Sequence, residues 1–181
     1  MRFVLALVRI GAVAAPASSA IACNAILGVE DVELNCHVAP EIAVQPAAVW
    51  TLRNIDDAGD TASQLSTEPA AMTTLYIRLW DGFGEHDELL AGSTYPLTPD
   101  DGSRIDCGIC VELDARFDTP TGAEQWVYAA RPQGHLTLTT RSVTQVTGSM
   151  QNLRFRHVTD DGAEVNDGCS TVIRQLAFDA R

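Results

Sequence analysis

The chain contains no lysine: all 12 of its basic residues are arginine, against 24 aspartates and glutamates. The formal net charge is −12, and the arginines form no basic cluster. An acidic surface of this kind repels phosphate backbones, so nucleic acid is excluded as an expected partner. Acidity favours solubility, but it does not indicate an activity.

Several motifs of catalysis and metal binding are also missing. The sequence has no G-x-S-x-G, and none of its four histidines stands in a recognisable nucleophile context, which argues against a common hydrolase. It has a single CxxC, so a paired-CxxC zinc site is not expected. No loop follows D-x-[DN]-x-[DN]-G, which excludes an EF-hand. Arg9 divides the N-terminal apolar run, so a membrane span of about 20 apolar residues is not expected.

The N-terminus has the features of an export signal. Arg2 supplies a positive charge, a mostly apolar stretch follows, and Ala20-Ile21-Ala22-Cys23 stands at the distance of a cleavage site. A cysteine in this position resembles a bacterial lipobox. We therefore predict a signal peptide over residues 1–22 and lipid attachment at Cys23. The alternative is an ordinary secretory signal cut at the same bond, since Ala20 and Ala22 satisfy that peptidase too.

The cysteine count favours the lipidated form. The chain has five cysteines, an odd number for an exported protein. Lipidation of Cys23 leaves Cys36, Cys107, Cys110 and Cys169, which can form two disulfides in an oxidising compartment. Strand-like sequence flanks Cys107-Gly108-Ile109-Cys110, whereas a redox-active CxxC is expected at a helix N-terminus. Structural disulfides are therefore preferred to a redox site or a zinc site.

The pairing of these four cysteines depends on the backbone around Gly108. In a regular strand, Cys107 and Cys110 lie about 10 Å apart, whereas a disulfide needs Cα atoms at roughly 4.4–6.8 Å. A regular strand therefore favours long-range pairing of each with Cys36 or Cys169. The alternative is a bulge or turn at Gly108, which closes the short Cys107–Cys110 ring.

From residue 49 onward, apolar and polar residues alternate with period two between clusters of turn-forming residues. This pattern predicts an all-β fold over residues 47–181, an antiparallel β-sandwich of jelly-roll or immunoglobulin-like type. Residues 23–46 are predicted to be a lipid-anchored tether, with a short strand over residues 32–36 as the alternative. Residues 56–72 are compatible with one short helix. The core is predicted to contain Leu75, Ile77, Leu79, Ile105, Ile109, Val111, Leu153, Phe155, Leu176 and Phe178.

A resemblance to a known family supports this layout. The segments Gly92–Leu97, Cys107–Val111, Gly134–Leu138, Gly148–Leu153 and Gly168–Cys169 resemble predicted lipoproteins of predatory Gram-negative bacteria. The resemblance covers most of residues 75–180. It implies an exported β-domain, and it implies no activity, because that family is uncharacterised.

Two loops are candidates for ligand binding. Calcium needs six to eight oxygen ligands, and the best-supplied acidic loop contains Asp160, Asp161, Glu164 and Asp167. The Gly-rich loop after residue 79 carries Trp80, Phe83, His86 and Asp87, which could form a shallow platform for a sugar or peptide. Each loop also has a purely structural interpretation: acidic residues form solvated turns, and aromatic rings close the end of a sandwich.

The sequence as a whole favours an exported, lipid-anchored, non-catalytic module of the cell envelope or surface. No cofactor is expected beyond the candidate structural calcium, and the expected partners are the membrane, through the lipid, and an envelope protein or glycan. The expected location is the outer membrane or cell surface, with the periplasm or the medium as alternatives. The alternatives for function are a calcium-assisted carbohydrate-binding module and an enzyme with an unrecognised site.

Overall fold

The computed structural model describes residues 36–57, 60–98, 101, 107–131 and 133–181. Within them the chain forms nine strands and no helix, and none of these residues belongs to an apolar helix long enough to cross a bilayer. The strands are β1 (Thr51–Asp57), β2 (Asp60–Ala70), β3 (Thr73–Trp80), β4 (Thr94–Pro96), β5 (Ile109–Thr119), β6 (Gly122–Ala130), β7 (His135–Arg141), β8 (Val146–Val158) and β9 (Ser170–Ala180).

All pairings between these strands are antiparallel, and they follow the order β1-β2-β3-β5-β6-β8-β7-β4, with β9 paired to β8. Strand β8 organises the sheet because it is long enough for two neighbours on one edge. Its first half pairs with β7 and its last residues pair with β6, while β9 occupies the other edge. The all-β antiparallel fold predicted from the alternation is confirmed.

The segment before β1 joins the two ends of this sheet. It runs parallel to β9: Ile42 N donates to Val172 O at 2.9 Å, and Val172 N donates to Pro40 O at 3.1 Å. Further along, Trp50 bridges Ala180 just before the chain enters β1. The edge strand β1 is thereby connected to the edge strand β9, and the sheet folds into a sandwich around one core.

The core contains the residues that the alternation predicts. Nine of the ten predicted core residues are buried, and Ile105 lies outside the described residues. On β8 the buried positions change phase between Met150 and Leu153, where Asn152 has a positive φ of 58°. The phase changes on β9 as well, between Ile173 and Leu176. Both strands thus keep their apolar residues inside while β8 passes from its β7 partner to its β6 partner.

The short helix considered for residues 56–72 is absent from the described part of that range, where β1 ends at Asp57 and β2 occupies Asp60–Ala70. The segment is rich in Thr and Ser, so its strand character is weak in the sequence, but Ala62 and Leu65 are fully buried. Pairing with β1 on one edge and β3 on the other satisfies the backbone groups of β2, so tertiary pairing outweighs the weak local signal.

The folded unit begins further towards the N-terminus than residue 47. Of the predicted tether, the described residues 36–46 pack on the domain: Ile42 is buried, and Cys36, Val38 and Val44 contact the core. A disulfide joins Cys36 to Cys169, with Cα atoms 5.2 Å apart. Residues 23–35, including the alternative strand up to residue 35 and Cys23 itself, lie outside the described residues.

The four described cysteines form two disulfides, as predicted, but the preferred long-range pairing of Cys107 and Cys110 is wrong. These two residues bond to each other, with Cα atoms 5.3 Å apart. Strand β5 begins only at Ile109, so Cys107 stands before the strand and the chain bends at Gly108. The bend shortens the distance that a regular strand would impose.

We expect the two disulfides to differ in their contribution to stability. Replacing Cys36 and Cys169 by Ala opens a loop closed over 133 residues, and replacing Cys107 and Cys110 opens one closed over three. The chain-entropy model gives losses in the free energy of unfolding of about 5 and about 2 kcal/mol, respectively. Urea denaturation of both double variants without reductant measures the difference. A larger loss for the Cys107–Cys110 pair would contradict this account.

Candidate functional site

The predicted ligand loop is turned largely towards the protein. The rings of Trp80 and Phe83 contact each other with centroids 5.6 Å apart, and His86 packs edge-to-face on Tyr95 at 5.2 Å. The side chain of His86 is only 10% exposed. Asp87 is exposed, and its backbone carbonyl accepts a hydrogen bond from Gly82. The aromatic rings therefore brace the loop. The sugar or peptide platform stays a prediction.

A buried carboxylate ties this loop to the start of β5. Asp101 accepts hydrogen bonds from Ile109 N at 2.8 Å and from both Thr98 N and Thr98 Oγ1, and its Oδ2 lies 3.7 Å from His86 Nε2. A Cβ atom at Gly108 would lie 2.5 Å from the carbonyl oxygen of Phe83, so only glycine fits there. These contacts hold the bend between the two cysteines. Both cysteines are at most 4% exposed, which favours a structural over a redox role.

An ion pair holds the other end of the loop. Arg141 Nη1 donates to Asp81 Oδ1 at 2.6 Å and to Leu89 O at 2.9 Å. Burial alone would raise the pKa of Asp81, but the hydrogen bonds from Arg141 and from the Leu89 amide lower the pKa below its usual value. Asp81 is therefore a fixed structural anion.

The carboxylates of the predicted calcium loop point to separate partners. Glu164 pairs with Arg131, Asp161 accepts from Thr159, and Asp167 accepts from His157 and from the Cys169 amide. Asp160 is also engaged in an interaction. Across the described ranges, no three His, Cys, Asp or Glu side chains converge to hold a metal ion. The calcium site stays a prediction.

Five aromatic side chains and one carboxylate lie around the Cys36–Cys169 disulfide, and we call this group the clamp cluster. They come from the N-terminal segment, from β5, β6 and β8, and from the loop before β9. The members are His37, Phe117, Trp126, Tyr128, His157 and Asp167. His37 stacks on Phe117 at 3.5 Å, and Trp126 stacks on His157 at 4.2 Å. The Tyr128 hydroxyl donates to the carbonyl of Cys36. Burial, with a further contribution from the charge of Asp167, raises the pKa of Tyr128.

A different surface forms a concavity among the described residues. This outer groove has a volume of about 580 Å³ and is lined by Ala48, Val49, Thr51, Ser66, Thr67, Glu68, Thr74, Tyr76 and Arg116. Small-ligand sites usually have volumes of about 300–1,000 Å³, so the outer groove is of suitable size. No pattern in the sequence points to this groove.

The departure of the chain from β2 creates the outer groove. Strand β1 pairs with β2 only as far as Thr51 and Ser66, because Trp50 turns inward to pack against Phe178. Beyond Ser66, the corresponding edge of β2 has no strand partner among the described residues. The register between β2 and β3 also shifts between Thr67 and Ala70, so β2 carries one extra residue there. A bulge of this kind redirects side chains, and here it falls beside Glu68.

Comparisons with known proteins give no match: no family model, no curated protein and no solved structure is significantly similar to this chain. The function of the protein therefore has to be inferred from its residues and their contacts.

We expect Asp167 to stabilise the clamp cluster at neutral pH. Burial would raise the pKa of Asp167, but the hydrogen bonds from His157 and the Cys169 amide lower it below 3.8. A lowered folded-state pKa gives stability that is present above the unfolded-state pKa and is lost as the pH falls through the folded-state pKa. Asp167→Asn should therefore cost about 1–3 kcal/mol at pH 7, and this cost should shrink as the pH falls below about 4.

Urea denaturation of both proteins between pH 7 and pH 2 measures this difference. Asp118→Asn is the matched control, because Asp118 is exposed at the end of β5 and has no ion pair among the described residues. The control should follow the wild type at every pH. A difference between Asp167→Asn and the wild type that does not depend on pH would contradict the assignment.

Proposed function

We propose that the protein is an exported, lipid-anchored, non-catalytic module of the cell envelope or surface. The observation that carries this proposal is the pairing of the cysteines. Cys36 bonds to Cys169 and Cys107 bonds to Cys110, so all four described cysteines are paired with each other. The fifth, Cys23, has no cysteine partner left, and it stands at the lipobox-like site. Two buried disulfides also fit an oxidising compartment outside the cytoplasm.

The proposal gives the anchor a defined length. Lipid at Cys23 and the disulfide at Cys36 are separated by 13 residues of chain. A fully extended chain spans at most about 3.3–3.6 Å per residue, so the tether holds the clamp cluster within about 45 Å of the lipid. The acidic domain is then held close to the membrane, with most of its large apolar side chains in the core.

The contacts of His157 and His86 support a non-catalytic role. His157 is sandwiched against Trp126 and bonded to Asp167, which in turn accepts from the Cys169 amide. His86 packs on Tyr95 next to Asp101, whose carboxylate accepts from three other donors. The His157–Asp167 pair thus lies beside the Cys36–Cys169 disulfide, and Asp101 fixes the start of β5 beside the Cys107–Cys110 disulfide. The outer groove, by contrast, contains no histidine among its lining residues.

The test is the mass and the location of the mature protein. The full-length chain is expressed in a Gram-negative host, and the wild type and Cys23→Ala are compared by membrane fractionation and by intact mass. We expect the wild type to begin at Cys23, to carry a diacylglyceryl group and to partition with membranes. Cys23→Ala should be soluble and unmodified.

Cys23→Ala also serves as its own folding control, because both disulfides should remain intact in a non-reducing digest. A wild-type protein that is soluble and has the mass of the bare peptide would refute the lipid anchor and would favour ordinary secretion.

A further inference from the structure

The outer groove presents hydroxyl groups from three adjacent strands. Thr51, Ser66, Thr67, Thr74 and Tyr76 all line it. The hydroxyls of Thr51 and Ser66 lie 2.7 Å apart across the β1–β2 pair, and either can donate to the other. A hydroxyl both donates and accepts, so such a row can match a ligand whose own groups are mostly hydroxyls.

The aromatic ring in the outer groove is held in place. Tyr76 is half-buried on β3, and the guanidinium carbon of Arg78 lies 5.7 Å from the centre of its ring. Arg78 is fixed in turn, because it donates to Glu112 at 2.8 Å and to Gln64 at 2.9 Å. A ring fixed before binding loses little conformational entropy when a ligand packs against it. Tyr76 therefore offers a preorganised apolar surface beside the hydroxyls.

Two charged side chains of opposite sign complete the lining. Glu68 and Arg116 are both exposed, and neither has an ion-pair or hydrogen-bond partner for its side chain among the described residues. Carboxylate and guanidinium groups make strong charge-assisted hydrogen bonds to hydroxyls, and a pair of opposite sign leaves the groove without net charge.

This combination selects a class of ligand. The lining offers few apolar surfaces besides Tyr76, Ala48 and the 82% exposed Val49, which disfavours a lipid or an apolar peptide. The net charge of −12 repels anionic polymers. A neutral saccharide presents both hydroxyl groups and an apolar ring face, and the groove offers a partner for each. We propose that the outer groove is a binding site for a neutral saccharide.

Saccharide binding goes beyond the proposed envelope role. The two proposals are tested by different measurements, because lipidation is read from the mass of the protein and saccharide binding from calorimetry. The oxidised full-length protein, solubilised from membranes in detergent, is titrated by isothermal calorimetry with maltohexaose, cellohexaose, laminarihexaose and chitohexaose. We expect at least one of these oligosaccharides to bind.

Two substitutions locate the binding site. Tyr76→Ala removes the ring and Arg116→Ala removes the free cation, and each should weaken binding about tenfold or more. The matched control is Arg154→Ala, because Arg154 is also an exposed strand arginine that lines a separate groove. The control should bind as the wild type does.

If Tyr76→Ala does not fold, Arg116→Ala and Glu68→Gln still test the site, because they change only exposed side chains. Thermal denaturation of each variant checks the fold. The proposal would be overturned if none of the four oligosaccharides bound. Binding that survives both Arg116→Ala and Glu68→Gln unchanged would place the saccharide elsewhere and would overturn the assignment to the outer groove.

Discussion

The attachment of residues 36–50 to the last strand is the constraint on which the rest of the structure depends. Without this segment, the edge of β9 that faces away from β8 would be open, and open edges expose unpaired backbone groups that invite aggregation. Pairing of Ile42 with Val172 and of Trp50 with Ala180 covers the β9 edge. The Cys36–Cys169 disulfide then makes the attachment covalent, and the clamp cluster packs around it.

The same attachment accounts for the outer groove. Trp50 has to enter the core against Phe178 to close the sandwich, and this turns the chain away from β2 one residue before Thr51. Beyond Ser66, this edge of β2 has no strand partner in the part of the chain that the structure describes, so Pro69 is tolerated there because its missing amide is not needed for pairing. The concavity is therefore a consequence of how the sheet closes, and it needs no dedicated loop.

The sequence was a good guide to the buried face of each strand and a poor guide to features that depend on distant segments. Period-two alternation identified the core because burial acts on each strand separately. The Cys107–Cys110 pairing could not be derived in this way, since the carbonyl of Phe83, from the loop after β3, packs against the bend at Gly108. The outer groove was missed for a similar reason: its side chains come from β1, β2, β3 and β5 and from the segment before β1, and none of them stands out in the sequence alone.

The parallel course of the N-terminal segment also separates the proposed anchor from the outer groove. Residue 41 stands beside Val172 near the start of β9, and residue 50 stands beside Ala180 at its end. Eight strand residues at about 3.3 Å each place these points about 26 Å apart. The tether would join the domain at the first end, close to Cys36 and Cys169, whereas Ala48 and Val49 border the outer groove at the second. A domain tethered through its clamp would thus carry the outer groove at the end of β9 remote from the attachment, where a ligand outside the membrane can reach it.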